Sequence, residues 1–460
     1  MTSTKKITDF VLFNPKRTIK KGETKPFIEM AALPVDRRDI SEIGSRIYKG
    51  GGSRFQDGDT LFARITPCLE NGKTAKASGL GDGVIAHGST EFIVMAAKEP
   101  VYDEEYVYYL ARLPEFRDYA QSRMQGTSGR QRVSWQSLAE FEFGFPDKED
   151  RKEIGRILKS IDDKIQVNNQ LNQTLEQIAQ AIFKSWFVDF EPVRAKMAVL
   201  EAGGTAEQAE LAAMLAISGK DEAALNQLQA EQPEAFAELT QTAALFPAAM
   251  EESELGEIPE GWEPSTLESC TTELRRGISP KYTEEGGVRV INQKCIRNHT
   301  IDFTLARRND PSKRKIEGRE IEVGDVLVNS TGVGTLGRLA PVRHLDETTV
   351  VDSHVTVVRA DTSKISKSFL SGLMIVNESF IEASGAGSTG QTELRKQVLE
   401  DIRFTRPSPE IDSKYDLIVG NMNSQIAELE KQQATLSSTR DSLLPKLLSR
   451  DLPITNTEVA

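Results

Sequence analysis

Apolar residues recur at helical spacing along two stretches of this sequence. In the first, Ile154, Ile161, Leu175 and Ile182 fall on one heptad position and Ile157, Leu171 and Ile178 on its companion, with Asn168 interrupting the first line. Met422, Leu429, Leu436 and Leu443 hold the same phase in the second. Helix starts are marked by Asp147 after Pro146, with Asp150 in the first turn, and by Ser408 before Pro409. Each stripe is too narrow for a helix buried alone, so two long helices packing on each other are predicted; the competing reading packs each on its own domain only. A polar residue such as Asn168 in a core position fixes register and costs stability. Elsewhere the pattern shortens to strand-like runs with turns between them, as in FQDGDTLFARITP from Phe55 and HGSTEFIVM from His87.

Self-comparison makes these elements a tandem pair. Gly126–Ile165 and Gly387–Ile426 align at an offset of 261 residues, matching Gly126 with Gly387, Gly129 with Gly390, Phe143 with Phe404, Pro146 with Pro407, Ile157 with Ile418 and Ile165 with Ile426. Upstream, the run from Phe55 parallels IEVGDVLVNSTG from Ile321, and the run from His87 parallels VDSHVTVVR from Val351, at slightly longer offsets. A strand-rich mixed domain followed by a long helix is therefore expected twice over. Between Pro192 and Trp262 the composition turns to Ala, Glu and Gln, a segment that reads as partly helical, acidic and peripheral.

Charge then changes the picture, because a net of -12 would ordinarily argue against a polyanionic partner. Residues 199–262 carry thirteen acidic side chains against one lysine and account for the whole excess, while residues 1–50 hold eleven basic against six acidic. DNA is not excluded, although any single basic cluster reads equally as solvated surface. The 460 residues have ordinary globular composition, about three domains' worth. Cys68, Cys270 and Cys295 form no CxxC pair, and the four histidines, His87, His299, His344 and His354, have no metal-ligand spacing. Neither a signal-peptide core nor a membrane-length apolar run occurs, so a soluble chain in the reducing cytoplasm is expected.

Catalytic motifs fail in context. Gly332, Gly334 and Gly337, and Gly385, Gly387 and Gly390, spell GxGxxG, but neither string joins a strand to a helix as a dinucleotide site requires, so tight turns or close backbone approach are expected. The sequence contains no Pro-Pro dipeptide, hence no loop of the kind that holds a flipped adenine for methyl transfer, and no GxSxG, HExxH or Walker lysine. The acids of PDKEDRK from Pro146 sit in one helix-start turn, unlike a nuclease metal site. What remains is binding chemistry. Each half ends in a polar glycine loop, one carrying Arg130, Gln131 and Arg132, the other Thr389 and Gln391 with Arg395 and Lys396 just beyond. Arg and Gln reach guanine and adenine edges in bidentate fashion, and small residues let backbone approach phosphate. A solvated turn is the competing reading at each residue, but recurrence at one place in both halves, with different side chains, suits two related domains reading different sequences.

These residues resemble a known family. NPKR (Asn14 to Arg17), IGRILKSIDDKIQVNNQLNQTLEQIAQAIFKSWFVDFEPV (Ile154 to Val193), ELGEIPEGWE (Glu254 to Glu263) and LLPKLLSRDL (Leu443 to Leu452) are similar to the specificity subunits of type I DNA restriction-modification systems. The resemblance implies an α+β chain of two tandem α/β target recognition domains separated by two long helices that form an antiparallel coiled coil. It divides the chain into recognition domain 1 (1–146), a central helix (147–198), an acidic insertion or linker (199–262), recognition domain 2 (263–407), a C-terminal helix (408–452) and a tail (453–460). It further implies a non-catalytic subunit that binds a bipartite site on double-stranded DNA, with Lys16, Arg17, Arg130, Gln131, Arg132, Thr389, Gln391 and Arg395 as contacts. Two methyltransferase subunits would dock at Phe183, Trp186, Phe187 and Phe190 and at Leu443 and Leu447, although such an aromatic run is more often core. Adenine N6 methylation, and cleavage with a further restriction and translocation subunit, would use S-adenosylmethionine, ATP and Mg held by those partners; no cofactor is expected on this subunit and no membrane contact. Helices of ~35 to 40 residues span roughly 50 to 60 Å, placing the half-sites about one to one and a half DNA turns apart. A protein-binding coiled-coil scaffold, and less so an autonomous methyltransferase or nuclease, are the alternatives. The segment 199–262 exceeds a minimal connection, and nothing in it names a role.

Overall fold

The computed structural model describes residues 5–127, 129–385 and 393–452. The chain folds into two compact units, Met1–Gln170 with Glu430–Ala460, and Leu171–Leu429. In the first, strands β1 (Lys5–Lys6), β2 (Val11–Phe13), β3 (Thr24–Ile28), β4 (Gly44–Ile47), β5 (Ser53–Phe55), β6 (Thr60–Ala63), β7 (Thr74–Lys76), β8 (Ala86–Gly88) and β9 (Phe92–Ala97) come first. Helices α1 (Pro100–Arg112), α2 (Pro114–Ser122) and α3 (Trp135–Ala139) and strand β10 (Glu142–Phe143) follow, then the long helix α4 (Lys148–Phe187). The antiparallel sheet β2-β9-β6-β7 has apolar side chains on both faces, and alternation along its strands sorts them into two cores. Phe62, Ile93 and Met95 join Tyr106, Leu110 and Phe116 of the helices. Leu61, Phe92 and Val94 join Ile28 and Phe55 of the second sheet, β4-β3-β8-β5, in which β3 and β8 run parallel.

The acidic segment is folded and packed. Helices α5 (Glu191–Glu201), α6 (Ala206–Ser218), α7 (Glu222–Glu231) and α8 (Pro233–Leu245) precede a hairpin of Met250–Ser253 and Gly256–Pro259. A small core of Ala213, Met214, Leu225 and Ala243 holds these helices together, and Met197, Ile217 and Phe246 carry them onto the core of the second unit. The buried Lys196 ammonium donates to the Phe246 carbonyl at 2.7 Å and to Glu210 at 2.9 Å.

The rest of the second unit repeats the first. Its strands Thr271–Arg276, Val355–Ala360, Val326–Asn329 and Leu339–Pro341 pair antiparallel in the order of β2-β9-β6-β7. Val326, Val328 and Val358 face one core, Leu327, Val355 and Val357 the other. Helices α9 (Lys367–Val376), α10 (Glu378–Ala383), α11 (Lys396–Glu400) and α12 (Pro409–Leu448) complete it. The offset of 261 residues relates α11 to α3, and α12 to α4, at both ends of each helix. Even the joint between domain and long helix is shared with its chemistry changed: Arg151 pairs with Asp103 at 2.6 Å in the first unit, whereas Asp412, at the matching helix position, accepts from Ser366 in the second.

The long helices start as the sequence predicts, the Asp150 N–H donating to Asp147 Oδ1 at 3.0 Å and Pro409 opening α12. They pair antiparallel: within the first unit Asp162 contacts Arg440 while Asn168, further along, contacts Gln432, and within the second Phe183 and Trp186 lie on Tyr415. The contact face is rotated from the predicted one. Leu171 is 46% and Ile178 42% exposed, and the buried line runs through Leu158, Asp162, Ile165, Asn168, Phe183 and Trp186. The seam admits polar groups that an apolar count cannot see. Asp162 accepts 2.7 Å hydrogen bonds from both Arg440 and Tyr109, tying α4, α12 and α1 into one buried network. Asn168 is 0% exposed, with Nδ2 3.4 Å from Gln432 Oε1.

In the second unit Glu176 of α4 accepts from Arg343 and lies 4.0 Å from His299 Nδ1, while His299 Nε2 is 2.8 Å from Glu378. Burial opposes the His299 imidazolium, but the Glu378 hydrogen bond and the charges of Glu378 and Glu176 outweigh it, against Arg343, and leave its pKa raised.

Two stability tests follow from these networks. Arg440→Ala leaves Asp162 buried without its cation and is expected to cost about 3–5 kcal/mol, read as a lowered chemical-denaturation midpoint; an unchanged midpoint contradicts the role given to the pair. A raised folded-state pKa at His299 contributes stability that is complete below about 6.5 and lost as pH rises through the folded value. The unfolding midpoint is thus expected to fall more between pH 6 and 8 in the native chain than in His299→Asn, which tolerates the positive φ there; parallel profiles would contradict the assignment.

Candidate nucleic-acid interface

The glycine loop of the first unit is closed by reciprocal backbone bonds, Gln125 N–H to the Arg132 carbonyl at 3.0 Å and Arg132 N–H to the Gln125 carbonyl at 2.9 Å. Gly126 takes φ +129°, and a Cβ there would meet the Arg130 carbonyl oxygen at 3.0 Å, so the turn needs glycine. The loop is docked on the end of β6: Val133 N–H donates to the Arg64 carbonyl and Thr66 N–H to the Gln131 carbonyl, both at 3.0 Å. Arg132 forks onto Glu91, with Nη2 2.8 Å from Oε1, and so holds the loop. Arg130 projects exposed from the loop, and Gln131 is half-buried. Beside them Arg64 is half-buried with Nε unpaired. Asn14, at φ +46°, caps the β2–β9 ladder through Val94 N–H to Oδ1 at 2.9 Å, and Lys16 lies exposed two residues on.

The second unit builds the same junction. Leu394 N–H donates to the Ser330 carbonyl at 2.8 Å, and a Thr331–Glu393 bridge replaces Ile65–Arg132. Ser330, at the place of Arg64, is buried 2.5 Å from the Thr356 hydroxyl. Arg276 pairs with Glu393 at 2.5 Å and donates to the Leu394 carbonyl at 3.0 Å. Arg395 is exposed. Thr389 and Gln391 lie outside the described residues. Among the described residues no helix is long and apolar enough to cross a membrane.

With this geometry in place, comparison with known proteins assigns the family. The family model of the type I restriction modification DNA specificity domain matches residues 3–177. The HindI type I restriction enzyme specificity subunit of Haemophilus influenzae is 30% identical over 413 residues, 86% of this chain and 87% of its own. This chain belongs to the type I restriction enzyme specificity subunits. The EcoAI specificity subunit of Escherichia coli is 31% identical over 131 residues, 28% of this chain and 22% of its own. A crystal structure of a type I restriction-modification S subunit from M. genitalium aligns over 98% of this chain and 96% of its own at 14% identity and a TM-score of 0.48.

Several expected contacts of this specificity subunit are corrected by their surroundings. Arg17 is held by Asp59 at 2.5 Å with little exposure, as a structural pair, whereas Arg132 pairs with Glu91 while its side chain stays 40% exposed. Phe183, Trp186, Phe187 and Phe190 are buried in the core of the second unit, and Leu447 in that of the first with Leu443 packed against it. They bury the C-terminal end of each long helix in the core of the unit to which that end belongs, α4 in the second and α12 in the first, because an aromatic run at helical spacing fills core whenever a sheet and helices close over it. Lys16, Arg130 and Arg395 remain exposed. Arg64 and the Arg275–Arg276 pair went unread. Their signal was the repeat itself: Asn14 and Pro15 map at the same offset onto Arg275 and Arg276, and FARITP onto VNSTG. The first GxGxxG string makes a turn. Gly337, at φ +84°, lies against α10, where a Cβ would sit 2.6 Å from Glu382 Cα. Gly337→Ala is therefore expected to cost about 2–4 kcal/mol through backbone strain and overpacking, measured as a lowered unfolding midpoint, and a neutral result would mean that the close approach does not require glycine.

Proposed function

We propose that this specificity subunit binds a bipartite site on double-stranded DNA, each repeated domain reading one half, and directs adenine N6 methylation and restriction by partner subunits while holding no catalytic residue of its own. The observation that carries the reading is an antiparallel four-stranded sheet, its flanking helices and a long helix repeated with different side chains at the same loop junction: Arg64 is half-buried in one unit where Ser330 is buried in the other, and Asn14 stands in one where Arg275 stands in the other. A shared fold keeps the approach to DNA constant, and exposed side chains at the junction vary the base contacts. Two methyltransferase subunits would seat on the long helices, where Leu171, Ile178 and Leu417 are exposed apolar residues that a partner would cover. Those subunits would hold S-adenosylmethionine, and a restriction subunit ATP and Mg. The helices, each about 60 Å long, would set the distance between half-sites.

Single-molecule mapping of N6-methyladenine in host DNA, with and without this gene and with the methyltransferase partner expressed in both, tests the reading. Loss of methylation at one split motif of fixed spacing is expected when the gene is removed. An unchanged map would favour the protein-binding scaffold instead.

A further inference from the structure

In each unit the second sheet holds a strand paired parallel to one neighbour and antiparallel to the other: β3 with β8 and β4, and Val288–Ile291 with Thr349–Val351 and Arg307–Asn309. The turn that leads towards this strand meets the turn that leaves its antiparallel neighbour, and both turns are basic. In the first unit they carry Lys20, Lys21 and Lys49, in the second Lys281 and the run Lys313-Arg314-Lys315, all exposed. Asp310 reaches Lys313 at 3.0 Å, and the others form no ion pair among the described residues. Cations elsewhere on the same sheets are paired, Arg46 with Glu29 at 2.8 Å and Arg308 with Glu347 at 2.6 Å.

Hydrogen bonds hold the cations together on fixed backbone. In the second unit the buried Asn309 joins the two turns, its Oδ1 accepting from the Lys281 N–H and its Nδ2 donating to the Arg314 carbonyl, both at 2.9 Å. Asp310 Oδ1 accepts from the Ser312 N–H at 3.0 Å, and the Asp310 carbonyl accepts from the N–H groups of Lys313 and Arg314 at 3.1 and 3.0 Å. In the first unit the Tyr48 N–H donates to the Glu23 carbonyl at 2.8 Å and the Gly22 N–H to the Tyr48 carbonyl at 2.9 Å. Lys21 lies across the turn after Lys49, where a Cβ on Gly50 would meet its Cε at 3.0 Å. Lys20 and Lys281 match at the repeat offset, but Lys49 is followed by three glycines where the second unit has the run of cations. Positive charge thus recurs at one place in the fold through different residues on different backbones. Packing asks for no charge there, and like charges gathered on a rigid turn repel one another until a polyanion covers them.

We propose that the two basic turns of each unit grip the DNA backbone beside the half-site that the unit reads. Five residues separate Lys20 from Pro15, and Lys281 from Arg276, at the glycine-loop junction. Five residues span at most ~18 Å, the length of about five phosphates along one strand, so the turns lie within reach of the same stretch of duplex. The inference rests on the DNA reading above and adds to it the residues that hold the backbone. Such contacts fix position and orientation without selecting bases, so they can stay constant in kind while the junction varies.

The test uses Lys20→Gln/Lys21→Gln/Lys49→Gln and Lys281→Gln/Arg314→Gln/Lys315→Gln, which change exposed side chains and leave Tyr48, Asn309 and Asp310 in place. Each full chain is assembled with its methyltransferase partners. Binding to a duplex carrying the split site, and to duplexes with single base changes, is measured across a salt series. Each triple variant is expected to weaken binding by the same factor on all duplexes and to reduce the magnitude of the slope of log K against log salt by about 2 to 3. Lys281→Arg/Arg314→Lys/Lys315→Arg is expected to keep the native slope. Ethylation of single phosphates locates the contact: each variant should lose interference at phosphates beside one half-site only. Unchanged affinity and slope, with the native complex still preferring the split site, overturns the proposal, and so does an altered base preference. A variant that no longer retains its methyltransferase partners assigns the turns to a protein contact and overturns it as well. A native complex that binds DNA without preferring any sequence defeats the sequence reading alone, because the slope still decides the backbone contact; one that binds no DNA defeats both.

Discussion

The structure depends on two forty-residue helices that each lack the apolar surface to stand alone. Hydrophobic contact between them is thin at mid-length, where Asn168 and Gln432 meet, so register has to come from groups that tolerate one partner only. Asp162 supplies it, since a carboxylate buried between Arg440 and Tyr109 fits a single alignment of α4, α12 and α1. At the other end of α4 an aromatic cluster and the Glu176–Arg343–His299–Glu378 network do the same for the second domain. Each domain is thus fixed by buried polar groups as well as by packing to the stretch of the helix pair within its own unit, and that stretch is the base of its exposed loops.

On that base the two domains diverge where divergence is cheap. The antiparallel sheet β2-β9-β6-β7, the two cores on its faces and the ends of the long helices agree between the halves, while the residues at the glycine-loop junction differ in charge and size: Arg64 against Ser330, Asn14 against Arg275, Trp135 against Lys396. Buried positions are constrained by packing density, and junction positions facing solvent are constrained only by what they bind. Reading a half-site with one domain and another half-site with its relative follows from this division between framework and junction.

Much of the framework was legible in the sequence. The repeat offset gave the tandem arrangement, the capping residues Asp147 and Ser408 gave the helix starts, and the parallel runs from Phe55 and Ile321 gave strands in both halves. The helix seam was less legible, because an apolar periodicity skips Asp162 and Asn168 and so selects Leu171 and Ile178, which are exposed. Site residues were harder still. Arg17 and Arg130 look alike in sequence, and only the neighbouring Asp59, contributed from far along the chain, shows that one is committed to structure while the other stands exposed. Arg64 is unremarkable within FARITP until the loop from Gly126 is seen to dock beside it.

The central claim is that each repeated domain reads one half of a split site, and the measurement that bears on it most directly is a methylation map of DNA modified by the complex carrying Arg64→Gln/Arg130→Ala. The account predicts relaxed sequence at one half-site only, with the other half-site and the spacer length unchanged. Relaxation of both halves together, or an unaltered motif at full methylation, would contradict it.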